Sequence, residues 1–218
     1  MKTKSWIPAV ALCALALQPA WAQEQKEKEK PKEDKPAEAP KEQVYKLGST
    51  VDESLVLRDL DGKELKFKDL RGKVVMIHFW STLCPYEGAA NPKFVELEKR
   101  WKEKDAVILA VNANVTEIGP TPPEEKPGYA DVREHMKKKE LSFPVYADHG
   151  NKLADLFQAK STPHCFVLDK KGVITYAGAL DDDPRGDKGD ATQSYARDAV
   201  EATLEGKEPK VRETKSYG

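Results

Sequence analysis

Cysteine is scarce in this chain, with 3 in 218 residues. That is too few for the disulfide framework that staples small exported domains. An excess of either charge is also missing. Lys and Arg number 36 and Asp and Glu 37, for a formal net charge of -1. Although 33% of residues are charged, balanced signs exclude a strong single-sign field, so nucleic acid is not an expected partner. No apolar run reaches the ~20 residues of a spanning helix. No internal repeat is visible, which excludes solenoid and propeller arrays.

The first residues read as an address. Lys2 and Lys4 form a basic start, Trp6 to Leu17 is apolar, and Ala20-Trp21-Ala22 is a small-x-small cleavage site. Residues 1–22 are therefore read as a secretory signal peptide, directing the chain to the periplasm or, alternatively, outside the cell. Cys13 follows Leu12, not the small residue a lipoprotein signal requires, so it is expected to leave with the leader and no stable membrane anchor to remain. Residues 23–43 are almost wholly Glu, Lys, Pro, Ala and Gln. This composition holds too little apolar surface to order itself and reads as a charged, disordered linker. The folded domain is expected over 44–218, with Cys84 and Cys165 as its cysteines.

The segment Phe79-Trp80-Ser81-Thr82-Leu83-Cys84-Pro85-Tyr86-Glu87 draws the rest of the domain around it. An apolar run, Val74 to Phe79, precedes it and reads as a buried strand. Phe94, Leu97 and Trp101 follow at helical spacing. Cys84 thus falls where a strand hands over to a helix, with Pro85 suited to the first helical position. There a thiol faces unpaired N–H groups and the positive end of a helix dipole, and both favour the nucleophilic thiolate.

Around this segment the pattern predicts a hairpin through Asp61-Gly62, central strands over 73–80 and 106–113, and between them a helix over 85–104 interrupted by Pro92. Residues 115–129, rich in Pro, Gly and Thr, read as a surface loop ahead of a helix over 130–139. A short strand (143–146), a short helix (151–158), strands over 165–168 and 173–177, an acidic loop over 181–190 and a helix over 192–204 complete the order.

That order, with two motifs, resembles the thioredoxin-like fold in its exported redoxin form, of the AhpC/TSA and TlpA type. Asp59-Leu60-Asp61-Gly62-Lys63, Gly72-Lys73-Val74-Val75 and Phe79 to Pro85 are similar to the opening of TlpA-like thiol-disulfide reductases. Thr162-Pro163 before Phe166-Val167-Leu168-Asp169 resembles the family's cis-proline loop. The resemblance implies a three-layer α/β/α sandwich with a central mixed β-sheet and an N-terminal β-hairpin extension. It also implies substrate contacts at Trp80, Pro85, Thr162 and Pro163. The reductases carry Cys-x-x-Cys, however, and position 87 here is Glu87. Ser81-x-x-Cys84-Pro85-x-Glu87 is similar to the active stretch of peroxiredoxins, whose peroxide-holding arginine would fall at Pro163.

Cys84 is the expected nucleophile. Cys165 is either its resolving partner or a core residue of its strand, and alternation alone does not say which way it faces. Glu87 is either a proton relay or a surface residue at a helix start. His78 reads as a buried neutral histidine, and His135 and His149 as surface residues. Copper or zinc held by His78, His164, Cys84 and Cys165 is weighed against these readings, but position 88, where copper-delivery proteins of this fold place a second cysteine, is Gly88; neither metal nor cofactor is expected. Arg185-Gly186-Asp187 and the Asp181-Asp182-Asp183 run read as parts of a solvated acidic loop. The sequence therefore implies an exported thiol oxidoreductase acting on protein or small-molecule thiols and disulfides. The alternatives are a one-cysteine peroxidase acting on peroxide and a redox-inactive binding module.

Overall fold

Six consecutive buried residues form β3 (Val74–Phe79), the strand around which the domain is layered. It pairs in parallel with β4 (Ala106–Asn112) on one side and antiparallel with β6 (His164–Leu168) on the other. β5 (Val145–Ala147) extends the sheet beyond β4, and β7 (Ile174–Gly178) beyond β6, in the order β5-β4-β3-β6-β7. The computed structural model describes residues 44–124 and 128–218. The expected signal peptide, Cys13 and the charged linker lie outside the described residues. Among the described residues no helix is long and apolar enough to cross a membrane.

Apolar residues on both faces of a strand demand cover on both faces. Val74 and Met76 point toward α1 (Glu87–Trp101) and α5 (Tyr195–Leu204), where they meet Phe94, Leu97, Trp101, Ala199 and Val200. Val132 of α3 (Ala130–Lys138) joins this layer. Val75, Ile77 and Phe79 face the opposite side, where α4 (Lys152–Phe157) contributes Leu153, Ala154 and Phe157. The N-terminal hairpin is a separate two-stranded sheet of β1 (Val56–Arg58) and β2 (Glu64–Lys66). Its turn is held by the Asp59 carboxylate, which accepts from Asp61 N and Lys63 N, both at 2.9 Å. Gly62 sits there at φ 84, where a side chain would be strained. The result is the α/β/α sandwich with a mixed sheet and a hairpin extension that the motif order implied.

Three local expectations are corrected. The helix after Cys84 begins at Glu87, not Pro85, because Cys84 O is taken by Glu87 N (3.2 Å) in a tight turn before the first α-type bond, from Ala90 N to Tyr86 O. The 115–129 stretch is not all loop: Asn114 caps a one-turn helix, α2 (Val115–Ile118), by accepting from Thr116 N. The acidic stretch is not all solvated, because Asp181 and Asp183 are buried against Lys93 of α1, whose Nζ lies 2.7 Å from Asp181 Oδ2. A carboxylate can be buried there because the ammonium and Asp183 N supply partners.

Candidate functional site

β3 delivers the chain into the turn that carries Cys84. Trp80 still belongs to the sheet, its N–H donating to Val111 O at 2.8 Å. Its indole is completely buried and donates to Asn91 Oδ1 at 3.0 Å. Trp80, expected to touch substrate, therefore supports the turn from behind. The next residues reverse direction through a bond from Cys84 N to Ser81 O. Pro85 is exposed in this turn, as is Leu83, which shows 63% of its surface.

Glu117, on α2, holds the turn in place. Its carboxylate accepts from Thr82 N (2.8 Å), Leu83 N (3.2 Å), Asn112 Nδ2 (2.7 Å), Asn114 Nδ2 (3.0 Å) and the Ser81 hydroxyl. Burial alone would raise the pKa of this carboxyl. The hydrogen bonds from Ser81, Thr82 and Asn112 outweigh it and hold Glu117 below the ordinary glutamate range. Sequence reading missed this residue. The Asn-x-Thr start of α2 signals a helix cap, but nothing local announces partners more than 30 positions away. Glu117→Ala removes the shared acceptor of five donors and is expected to cost about 2–3 kcal/mol and to speed hydrogen exchange at the Thr82 and Leu83 amides. Denaturant unfolding and exchange spectra check this. Loss below about 0.5 kcal/mol with unchanged exchange would show that the turn holds itself.

Across from the turn lies the loop before β6. The Thr162–Pro163 peptide bond is cis, and Thr162 O accepts from Cys84 Sγ at 2.7 Å. Cys84 is half-buried and Pro163, next to Thr162 in the loop, is buried. Tertiary structure thus brings Cys84, Pro85, Thr162 and Pro163 together.

Glu87 is 1% exposed, which overturns its reading as a surface residue. Its Oε1 lies 3.0 Å from Nε2 of completely buried His78, with one proton necessarily between the two atoms. The imidazole stacks on Phe94 with ring centroids 3.5 Å apart. His78 Nδ1 and Glu87 Oε2 have no hydrogen-bond partner. The position that carries the second cysteine in the reductases is thus filled by one half of a buried polar pair.

Cys165 lies opposite His78 in the β3–β6 register and faces the α1 and α5 layer, packed among apolar residues. It is completely buried. Burial, with Glu87 and Asp181 adding negative charge nearby, pushes its thiol well above the ordinary cysteine range. Both cysteines are free. Among the described residues no group of three or more His, Cys, Asp or Glu side chains is gathered as metal ligands would be. His135 and His149, expected on the surface, are half-buried. His135 packs edge-on against Trp80, and His149 Nε2 meets the Tyr129 hydroxyl at 2.9 Å.

His164, next to Pro163, is nearly buried on the opposite face from Cys165. Its Nδ1 accepts from Lys160 N at 3.3 Å. Burial, helped by the Lys160 charge, lowers it to about 4. The unfolded imidazole binds its proton near pH 6.5, so between there and about pH 4 the unfolded state holds more protons. Stability must fall as pH drops through that window, by ~3 kcal/mol from this residue. His164→Asn, which keeps an acceptor for Lys160 N, is expected to remove that part of the slope in urea titrations at pH 7, 5.5 and 4. An unchanged slope would assign the acid sensitivity to other groups.

A family model described as "AhpC/TSA family" matches residues 50–177. A "Thiol-disulfide oxidoreductase ResA" of Bacillus cereus (strain ZK / E33L) is 34% identical over 121 residues, 56% of this chain and 63% of that one. The protein of the same description from Bacillus thuringiensis subsp. konkukian (strain 97-27) is 31% identical over 134 residues, 62% of this chain and 70% of that one. The chain thus spans just under two thirds of the first relative. Among solved structures, a hypothetical protein, SMc02350, from Sinorhizobium meliloti 1021 superposes with a TM-score of 0.64 at 23% identity, covering 79% of this chain and 93% of that one. This likeness bears on the fold alone.

Proposed function

The chain belongs to the AhpC/TSA family, and on that premise we propose that it is a thiol–disulfide oxidoreductase with Cys84 as its single nucleophile. The observation that carries this reading is half-exposed Cys84, presented by a turn that Glu117 locks, with its sulfur set against Thr162 O. Identity of 31–34% to proteins described as thiol-disulfide oxidoreductases supports it. The Cys84 thiolate attacks one sulfur of a partner disulfide. A Cys84–partner disulfide forms, and the other partner sulfur leaves as thiolate. An external thiol then attacks the mixed disulfide, releasing Cys84 and carrying away the oxidising equivalent. Glu87 stands where a resolving cysteine would, so the second thiol comes from outside the motif.

The leader and linker composition supports export to an oxidising compartment, the periplasm or the exterior, with thiols and disulfides of proteins or small molecules as partners. The peroxidase alternative is the less supported reading. Ser81 donates to Glu117, and Glu87 is turned to His78, so neither polar residue of that motif is aimed at the sulfur.

The test measures two reactions on the same protein: exchange with oxidised glutathione in the presence of a reducing thiol, and consumption of hydrogen peroxide. Exchange well above background with peroxide loss at background is expected. Faster peroxide consumption than exchange would assign the peroxidase. Inertness to both, and to iodoacetamide at neutral pH, would leave a binding module.

A further inference from the structure

β7 is an edge strand, and the segment Arg212–Gly218 covers its open side. Arg212 O accepts from Ala177 N at 3.0 Å, and Thr214 N donates to Ala177 O at 3.1 Å. Thr214 Oγ1 accepts from Ala179 N at 2.9 Å and pairs with the Tyr176 hydroxyl at 2.7 Å. The approach is so close that a Cβ on Gly178 would stand 2.2 Å from Thr214 Oγ1. A bare backbone at 178 is what lets this segment seat.

Beyond Thr214 the segment leaves the sheet and crosses to the Cys84 turn. Ser161 Oγ donates to Ser216 Oγ at 2.9 Å. The Tyr217 hydroxyl donates to buried Asp181 Oδ1 at 2.8 Å, and its ring lies 5.8 Å from that of Tyr86. Gly218 lies so near Thr162 that a Cβ on it would fall 2.3 Å from the Thr162 carbonyl oxygen. That oxygen is the one accepting from Cys84 Sγ. Residues 215–218 therefore touch both flanks of the sulfur, Tyr86 two positions after it and Thr162 across from it.

We infer that residues 215–218 are a built-in occupant of the strip formed by Tyr86, Ser161, Thr162 and Asp181 beside Cys84, and that the polypeptide carrying the disulfide to be exchanged must displace them. This rests on the thiol-exchange reading of Cys84. The occupant shows what fits: a hydroxyl opposite Ser161, an aromatic ring between Tyr86 and Asp181, and a small residue on Thr162. The segment is divided to suit. Its base at 212–214 is tied into the sheet edge, whereas residues 216–218 are held through Ser161, Asp181, Tyr86 and the approach to Thr162. Residues 215–218 can lift without unpairing β7.

The test uses the full chain and two reagents for Cys84. One is iodoacetamide, too small to need the strip. The other is a short peptide with the sequence order Ser-Tyr-Cys-Gly whose cysteine is disulfide-bonded to thionitrobenzoate. The Cys84 thiolate forms a bond to the peptide sulfur, the original S–S bond breaks, and thionitrobenzoate leaves as a coloured thiolate; the Cys84 proton goes to buffer. Tyr217→Ala and Ser216→Ala are each expected to raise the peptide rate at least fivefold while changing the iodoacetamide rate less than twofold. Millimolar octapeptide of sequence 211–218 should slow the Tyr217→Ala variant again. Should Tyr217→Ala melt at a much lower temperature, Tyr217→Phe, which loses only the Asp181 bond, carries the comparison with a smaller rise. Unchanged peptide rates with a reactive Cys84 overturn the built-in occupant and leave the exchange reading standing. Equal acceleration of both reagents overturns it too, since the segment would then only shield the sulfur. A Cys84 inert to iodoacetamide in every form overturns the exchange reading itself.

Discussion

Replacing Cys84 with serine is expected to lower thiol–disulfide exchange on the order of a thousandfold or more. A hydroxyl at this position is far less ionised than a thiol and cannot form the mixed disulfide at all. The other cysteine cannot stand in. Cys165 is completely buried and its thiol is pushed well above the ordinary range by burial and by the charges of Glu87 and Asp181. Attack requires a thiolate that can reach its target, and Cys165 has neither access nor charge. Cys165→Ala is therefore expected to leave the exchange rate within about twofold, at a stability cost of ~1 kcal/mol for a small core cavity. Parallel exchange assays on the two variants decide the matter. Full activity in Cys84→Ser would move the chemistry elsewhere. Loss of turnover in Cys165→Ala with Cys84 still alkylated at the normal rate would make Cys165 the resolving cysteine after all.

The largest stability effect is expected from Glu87→Ala, at about 3–5 kcal/mol. It would also lower the melting temperature by roughly 10 °C. Glu87 and His78 are both buried, and each is the other's hydrogen-bond partner. Deleting the carboxylate leaves His78 Nε2 without a partner, in addition to Nδ1, which already has none. It also opens a cavity beside the His78 imidazole. Removing both polar groups is a different matter, because no buried atom is then stranded. His78→Leu combined with Glu87→Met is expected to recover most of the loss, and a thermal-melt double-mutant cycle measures how much. A double variant as unstable as the sum of its singles would mean the pair is not coupled and that packing alone accounts for the cost.

Much of the layering was legible in the sequence. The apolar run Val74 to Phe79 could only be a strand covered on both faces, and Asp61-Gly62 between two short apolar segments could only turn. The helix after Cys84 was legible in its body but not in its onset. Pro85 satisfies the rule for a first helical residue, yet the Cys84–Glu87 turn bond postpones the helix by two positions. The acidic run at 181–183 was misread because charge in a sequence signals solvent, whereas Lys93, nearly 90 positions earlier, makes burial tolerable. Glu117 and the strap over 212–218 left no local signature, since their partners are Thr82, Leu83, Ser161 and Thr162.

By itself, then, the sequence determined which elements form, that Cys84 follows the central strand, and that no second cysteine stands at position 87. These depend on periodicity, turn chemistry and identity, all of which are local. Tertiary structure alone decided that Glu87 meets His78, that Cys165 is sealed in the α1 and α5 layer, and that Glu117 grips the Cys84 turn. It also decided that residues 215–218 lie against Thr162. Each of these turns on strand register and on hydrogen bonds between distant positions, and a buried polar group chooses its partner by proximity in the folded chain.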